Sequence, residues 1–133
     1  MNGYYRKLEI LKNYNNLCKH IDDLACDYGE LFTRATRIAQ QLRDDVSPAN
    51  HDNQSKVEGY TVKLAAKKAE LERQITKRNV IDTELKKLGV KNEYIVRKIC
   101  IEGQKVIKVS RDLKMNYTYV VDLRRKLVNK LKI

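Results

Sequence analysis

Ten residues of the first third of the chain, Ile10, Tyr14, Leu17, Ile21, Leu24, Tyr28, Leu31, Ala35, Ile38 and Leu42, are apolar or aromatic and alternate at spacings of four and three. This is a helical seam at the a and d positions of a heptad, sustained for more than four repeats. It predicts a helix from about Tyr5 to Arg43, about 58 Å long at about 1.5 Å per residue. Such a helix cannot bury its own stripe, so it requires a partner. Gly29 lies off the seam and costs ~1 kcal/mol of helix propensity.

A polar stretch over residues 44–55 interrupts the pattern. It contains Pro48, which turns Ser47 away from helix, and a run of Asp, Asn and Ser that favours turns. A connecting loop is expected there. His51 reads as a solvated loop residue. A second helix is predicted from about Lys56 to Leu88, carrying Val57, Tyr60, Leu64, Leu71, Ile75, Ile81, Leu85 and Leu88, with Gly89 as its C-terminal stop. Lys68 and Arg78 interrupt its stripe. The simplest arrangement is an antiparallel pair of helices completed by a second copy of the chain. Leu17, Ile21, Leu24, Tyr28, Leu31, Ile38 and Leu42 form the expected oligomerisation seam, and a homodimer is the expected state.

After residue 90 the pattern shifts to short helices. Asn92 is placed to cap one that carries Ile95, Val96, Ile99 and Cys100 and stops at Gly103. A second covers about Lys105 to Leu113. A third begins at Asn116, a good N-cap residue, and runs to about Lys130. The last two helices carry the spacing of a helix-turn-helix. That motif packs two helices steeply across a turn of about 3–4 residues and needs a small side chain in the first helix. Ser110 supplies it, and Val109, Leu113, Met115, Val120, Leu123 and Leu127 form the apolar set. The turn often carries glycine where φ is positive. Lys114 stands there instead, at a cost of ~1 kcal/mol if it takes that conformation.

Charge points the same way. Of the net +11, residues 1–55 hold −1, residues 56–90 hold +4 and residues 91–133 hold +8. Clustered basic charge is the footprint expected against a phosphate backbone. The outward face of the last helix would then enter the major groove, with Asn116, Tyr117, Thr118, Val121, Asp122 and Arg125 as base readers. Arg125 can pair with guanine in a bidentate manner, Thr118 and Val121 can touch a thymine methyl, and Asp122 can accept from cytosine or orient Arg125. Lys105, Lys108, Lys114, Arg124 and Lys126 are the expected phosphate contacts. Tyr119 fits either a stacking role or an inward one.

The fold class expected is all-α: long N-terminal coiled-coil helices over residues 1–90, followed by a helix-turn-helix unit over residues 91–133. A single proline and five glycines suit long helices. With 34% charged residues and a mean hydropathy of −0.62, the compact core must be modest. No run of 18 apolar residues is present and the N-terminus lacks the pattern of a signal peptide, so the expected location is the cytoplasm of a bacterial host cell, away from membranes. The three cysteines read as free buried thiols. Cys18, His20 and Cys26 do not make a metal site, because His20 lies about 200° round a helix from Cys18. No cofactor is expected.

Three stretches resemble a family of small proteins from phages and prophages of Gram-positive bacteria. They are Arg34-Ala35-Thr36-Arg37-Ile38, Ser47-Pro48-Ala49-Asn50-His51-Asp52 with Lys56-Val57-Glu58, and the ending from Tyr94 to Gly103 that leads into the two-helix motif. The C-terminal part is similar to region four of bacterial sigma factors and to the ArpU/RinA-type late-gene regulators. The resemblance implies a DNA-binding transcription regulator, with RNA polymerase as a further partner to test. Family members often carry an aromatic residue and an alanine in the first motif helix, where this chain has Val106 and Ser110.

The function expected is therefore sequence-specific binding of double-stranded DNA by a regulator of phage late genes. A small terminase subunit for DNA packaging, which would form a ring, and a coiled-coil protein adaptor, which would ignore nucleic acid, are the alternatives. An enzyme is not expected. There is no phosphate-cradling glycine loop and no Ser/His/Asp or Cys/His spacing with any specificity, and the two histidines, His20 and His51, fall in the expected coil and loop.

Overall fold

A computed structural model describes residues 3–44 and 51–133, with the side chains of residues 42–44 and 51–56 left aside. Among the described residues every regular element is a helix and there is no strand: α1 (Gly3–Lys12), α2 (Tyr14–Asp44), α3 (His51–Lys86), α4 (Val90–Val96) running on into a π-helical turn (Arg97–Ile101), α5 (Val106–Asp112) and α6 (Tyr117–Lys130). No described helix is long and apolar enough to cross a membrane.

The helix expected from Tyr5 to Arg43 is divided at Asn13. The break is local, because Asn13 N still donates to Glu9 O at 3.1 Å and Leu17 N to Asn13 O at 2.9 Å. Asparagine is a weak helix former because its side chain competes for backbone hydrogen bonds. The interval expected as loop is also shorter, since α3 already begins at His51. Residues 45–50, and the side chain of Leu42, lie outside the described residues.

The chain forms two compact units, Met1–Cys18 with Thr76–Ile133, and Lys19–Ile75. The expected boundary at residue 90 is therefore not where they divide. The reason is packing: Tyr4 and Leu11 of α1 and Ile81 and Leu85 of α3 share one core with Ile95, Val96, Ile99, Val109, Val120, Leu127 and Val128. Leu11, off the heptad seam, is fully buried there. At about 25 cal/mol per Å², each such aliphatic side chain contributes about 1.5–3 kcal/mol.

Charge separates with the units. The discontinuous unit carries 19 Lys/Arg against 7 Asp/Glu, a net of +12, and the Lys19–Ile75 unit carries 9 against 10, a net of −1.

In the Lys19–Ile75 unit, α2 and α3 lie side by side. Lys67 Nζ is 3.6 Å from Asp27 Oδ2, and Leu24 and Leu31 share a shallow groove with Lys63, Ala66, Lys67 and Glu70. Ile21 and Leu24 are buried within the single chain, and Leu17, Tyr28, Leu31, Ala35 and Ile38 are half-buried. Much of the seam expected between copies is thus covered within one chain. Phe32, one position off the seam, is 55% exposed and stacks on Tyr28 with ring centroids 6.4 Å apart.

Gly89 both follows α3 and caps α4, with φ 92°. Asn92, expected as that cap, lies inside α4 and its Nδ2 donates to Leu88 O at 3.1 Å. The π turn was not foreseen. Its extra residue rotates the following side chain back toward the preceding buried face. Ile99, Cys100 and Ile101 are all buried.

Candidate nucleic-acid interface

α5 and α6 are joined by four residues, 113–116. Val109 and Ser110 of α5 are buried, at 1% and 3% exposure, and the Ser110 hydroxyl donates to Ile107 O at 2.8 Å. A small residue at this point lets α6 approach closely. Leu113 and Met115 in the connection are half-buried against the same core as Val120, Leu123 and Leu127. Lys114 has φ 55°, the one positive φ at a non-glycine residue among those described. The left-handed residue reverses the chain, so that Lys114 N donates to Arg111 O at 3.1 Å and Met115 N to Ser110 O at 2.8 Å. Asn116 then caps α6, its side chain accepting from Thr118 N at 2.9 Å.

Asn116, Tyr117, Thr118, Asp122 and Arg125 are exposed and Val121 is half-buried. Tyr119 points to solvent, at 55% exposure. Lys105, Lys108, Lys114 and Lys126 are exposed and Arg124 is half-buried. The structure adds Arg111, exposed on α5.

Sequence reasoning did not foresee α1 beside α6. Arg6 donates to Ile133 O and Lys7 to Asn129 O, both at 3.0 Å. The Arg125 guanidinium carbon lies 5.3 Å from the centre of the Tyr4 ring, a cation–π arrangement. Tyr4 meets Tyr5 edge-on at 5.4 Å. Between the two helices runs a groove of about 320 Å³ with Leu8 and Val121 among its apolar walls and Tyr5, Asp122, Arg124 and Arg125 as its polar ones. Arg124 Nε is buried and has no hydrogen-bond partner. Leaving such a donor unsatisfied costs about 1–3 kcal/mol. No local sequence signal links these elements, because Tyr4 and Arg125 are 121 residues apart.

In the same unit a polar cluster ties α2, α3 and α4 together. Tyr14 Oη donates to Asp82 Oδ1 at 2.6 Å, Arg97 reaches the same oxygen at 3.1 Å, and Arg97 Nε donates to Glu93 Oε1 at 2.9 Å. Burial, together with the bond to Asp82, pushes the Tyr14 hydroxyl up to about 12. Burial works against the Arg97 charge, but Tyr14, Glu93 and Asp82 hold its pKa above the ordinary value. Glu84 is held below the usual carboxylate range by Lys87 and by the Lys132 backbone N–H, which donates to it at 2.9 Å. The C-terminal residues are thereby fastened to the end of α3.

Of the three free cysteines only Cys100 is buried; Cys18 is half-buried and Cys26 exposed. Burial pushes the Cys100 thiol up to about 11 against a lowering influence from Arg124, so it is protonated at neutral pH. Among the described residues no group of three or more His, Cys, Asp or Glu is arranged to hold a metal ion.

Comparison with protein-family models, curated proteins and solved structures gives no match for this chain.

Proposed function

We propose that the chain is a sequence-specific double-stranded DNA-binding regulator of transcription, and that α5 and α6 act as its helix-turn-helix. The observation that carries this reading is where the charge lies. The unit holding α5 and α6 has a net charge of +12, while the other has −1. The short turn with its left-handed residue and the capped second helix support this reading, since a helix-turn-helix would present its second helix to the major groove. Lys105, Lys108, Lys114 and Lys126 would meet phosphates on either side and set the register. Asn116, Tyr117, Thr118, Val121 and Asp122 would face base edges, with Arg125 at the rim of that face. The resemblance to prophage late-gene regulators supports the same reading. A homodimer would present two such helices to two half-sites.

The test is a titration of the full chain against a random-sequence duplex at graded salt, followed by a genome-wide map of bound DNA. With about five phosphates neutralised, log K should fall against log salt with a slope of about −4.5. A flat response would remove the nucleic-acid reading and leave a protein adaptor. Binding without any preferred site on the map would remove the sequence-specific part alone.

A further inference from the structure

The groove between α1 and α6 holds two guanidinium groups that lack acidic partners among the described residues. Among the described residues neither Arg124 nor Arg125 makes an ion pair, and both line the groove. Arg124 Nε is itself closed to solvent and has no acceptor, so a phosphate would be met by the terminal nitrogens of that guanidinium, with Nε–H as a reporter beside it. The walls carry two positive charges against the one carboxylate of Asp122. Arg125 is held toward α1 by the Tyr4 ring at 5.3 Å, so it faces the groove it lines. With about 320 Å³, and ~30 Å³ for each water in the liquid, the groove has room for a phosphate group with solvent around it. A phosphate offers several acceptor oxygens, the geometry that guanidinium forks match best.

We infer that this groove is a phosphate-binding site, in which Arg124 and Arg125 grip one phosphodiester of the DNA backbone beside the α6 reading face. The DNA source of that phosphate rests on the function proposed above; the phosphate chemistry does not. α1 is a fixed wall of the site. Tyr4 and Leu11 are buried in the shared core at 6% and 0% exposure, so moving α1 aside would open that core. The inference also moves Arg125 from the base readers to the backbone contacts.

The experiment follows the Arg124 Nε–H resonance of the full-length protein by nitrogen-labelled NMR during additions of random duplex or of inorganic pyrophosphate. Salt titrations of Arg124→Gln and Arg124→Lys run in parallel. The expected result is a shifted resonance with duplex, a salt slope shallower by about 0.9 in Arg124→Gln, and a slope restored in Arg124→Lys. Should Arg124→Gln fail to fold, the wild-type resonance still decides. If duplex binds while the resonance stays still and the slope is unchanged, the groove assignment is overturned and the DNA reading survives. If duplex does not bind but pyrophosphate shifts the resonance, the phosphate site stands, its source is a free phosphate compound, and the DNA reading falls. If neither probe moves the resonance, the site does not exist.

Discussion

The Tyr14 hydroxyl donates a 2.6 Å hydrogen bond to Asp82, binding the first turn of α2 to the last turns of α3 beside Arg97. The hydroxyl is held up to about 12, above its ordinary value of 10. Its contribution to stability is therefore complete below pH 10 and is lost as pH rises through about 12. Tyr14→Phe should lower unfolding free energy by about 1–2 kcal/mol at neutral pH, the roughly 1.5–3 kcal/mol of a bond to a charged group discounted for partial exposure. It should also flatten the alkaline fall in stability. Urea unfolding at pH 7 and between pH 10 and pH 12 measures both. A mutant with the wild-type alkaline profile would show that this bond does not govern it.

Leu11 tests the discontinuous unit. It is off the heptad seam yet wholly buried among residues of α3 and the C-terminal helices. Leu11→Ala should cost about 2–5 kcal/mol in global unfolding, as for a buried leucine truncated in a packed core. A loss under about 0.5 kcal/mol, the range of surface substitutions, would mean that α1 contributes nothing to the core.

What the sequence discloses and what it hides divide along contact distance. The Asn116 cap, the apolar set from Val109 to Leu127 and the unusual residue at Lys114 follow from neighbours within a few positions, and each appears where the spacing predicts. Caps and turns are local, so local pattern suffices to read them. The place of α1 does not, because Tyr4 and Leu11 find their core partners on other elements 70 or more residues away. Ile10 and Tyr14 continue a correct period, and the period alone cannot tell that the chain bends its packing at Asn13. The seam was legible and so was its pairing with the second helix, which Lys67 and Asp27 and the groove at Leu24 and Leu31 reflect. How much of the stripe would be left for another copy was not, because a heptad pattern does not say how completely one partner covers it. Arg124 is expected at a phosphate from its place in the last helix, but the groove that Tyr4, Tyr5 and Leu8 of α1 make beside it has no signal in the sequence.

Lys114→Gly should separate fold from binding. Glycine accepts φ 55° without the strain a side chain meets there, so stability should rise by up to about 1 kcal/mol. The same change removes a cation near the proposed backbone path, so duplex affinity should drop and the salt slope should shallow by about 0.9. Thermal unfolding and anisotropy titration on one preparation read the two effects. Lower stability would show that Lys114 is relaxed in its conformation.

Phe32 tests self-association without disturbing the helix pair. It is 55% exposed in the single chain, whereas Leu24 is 7% exposed. Exposed large aromatics in a heptad flank suit a second copy better than water. Phe32→Asp should give a monomer of unchanged helicity in sedimentation, while Leu24→Asp should lose helicity as well. A Phe32→Asp protein that sediments as the wild type does would take this surface out of the interface.

Arg125 decides how α6 meets DNA. From its place on the helix alone it would read guanine, and Arg125→Ala would then weaken a preferred site by ~1–3 kcal/mol while sparing random duplex. The Tyr4 ring at 5.3 Å turns the guanidinium toward α1 instead. The phosphate groove therefore predicts that Arg125→Ala weakens preferred and random duplexes by the same factor and shallows both salt slopes by about 0.9. Lys105→Ala, on the exposed lead into α5, should behave in the same manner. Asp122→Ala should not: it removes a base-facing group and one negative wall of the groove. It should shift sequence preference and raise affinity for random duplex, because one repulsive charge is gone. Titration of the three variants against a preferred and a random duplex at several salt concentrations separates these outcomes. If Arg125→Ala spares random duplex, the guanidinium leaves Tyr4 on binding and reads a base. If Asp122→Ala leaves preference and affinity untouched, the α6 face carrying it does not meet DNA.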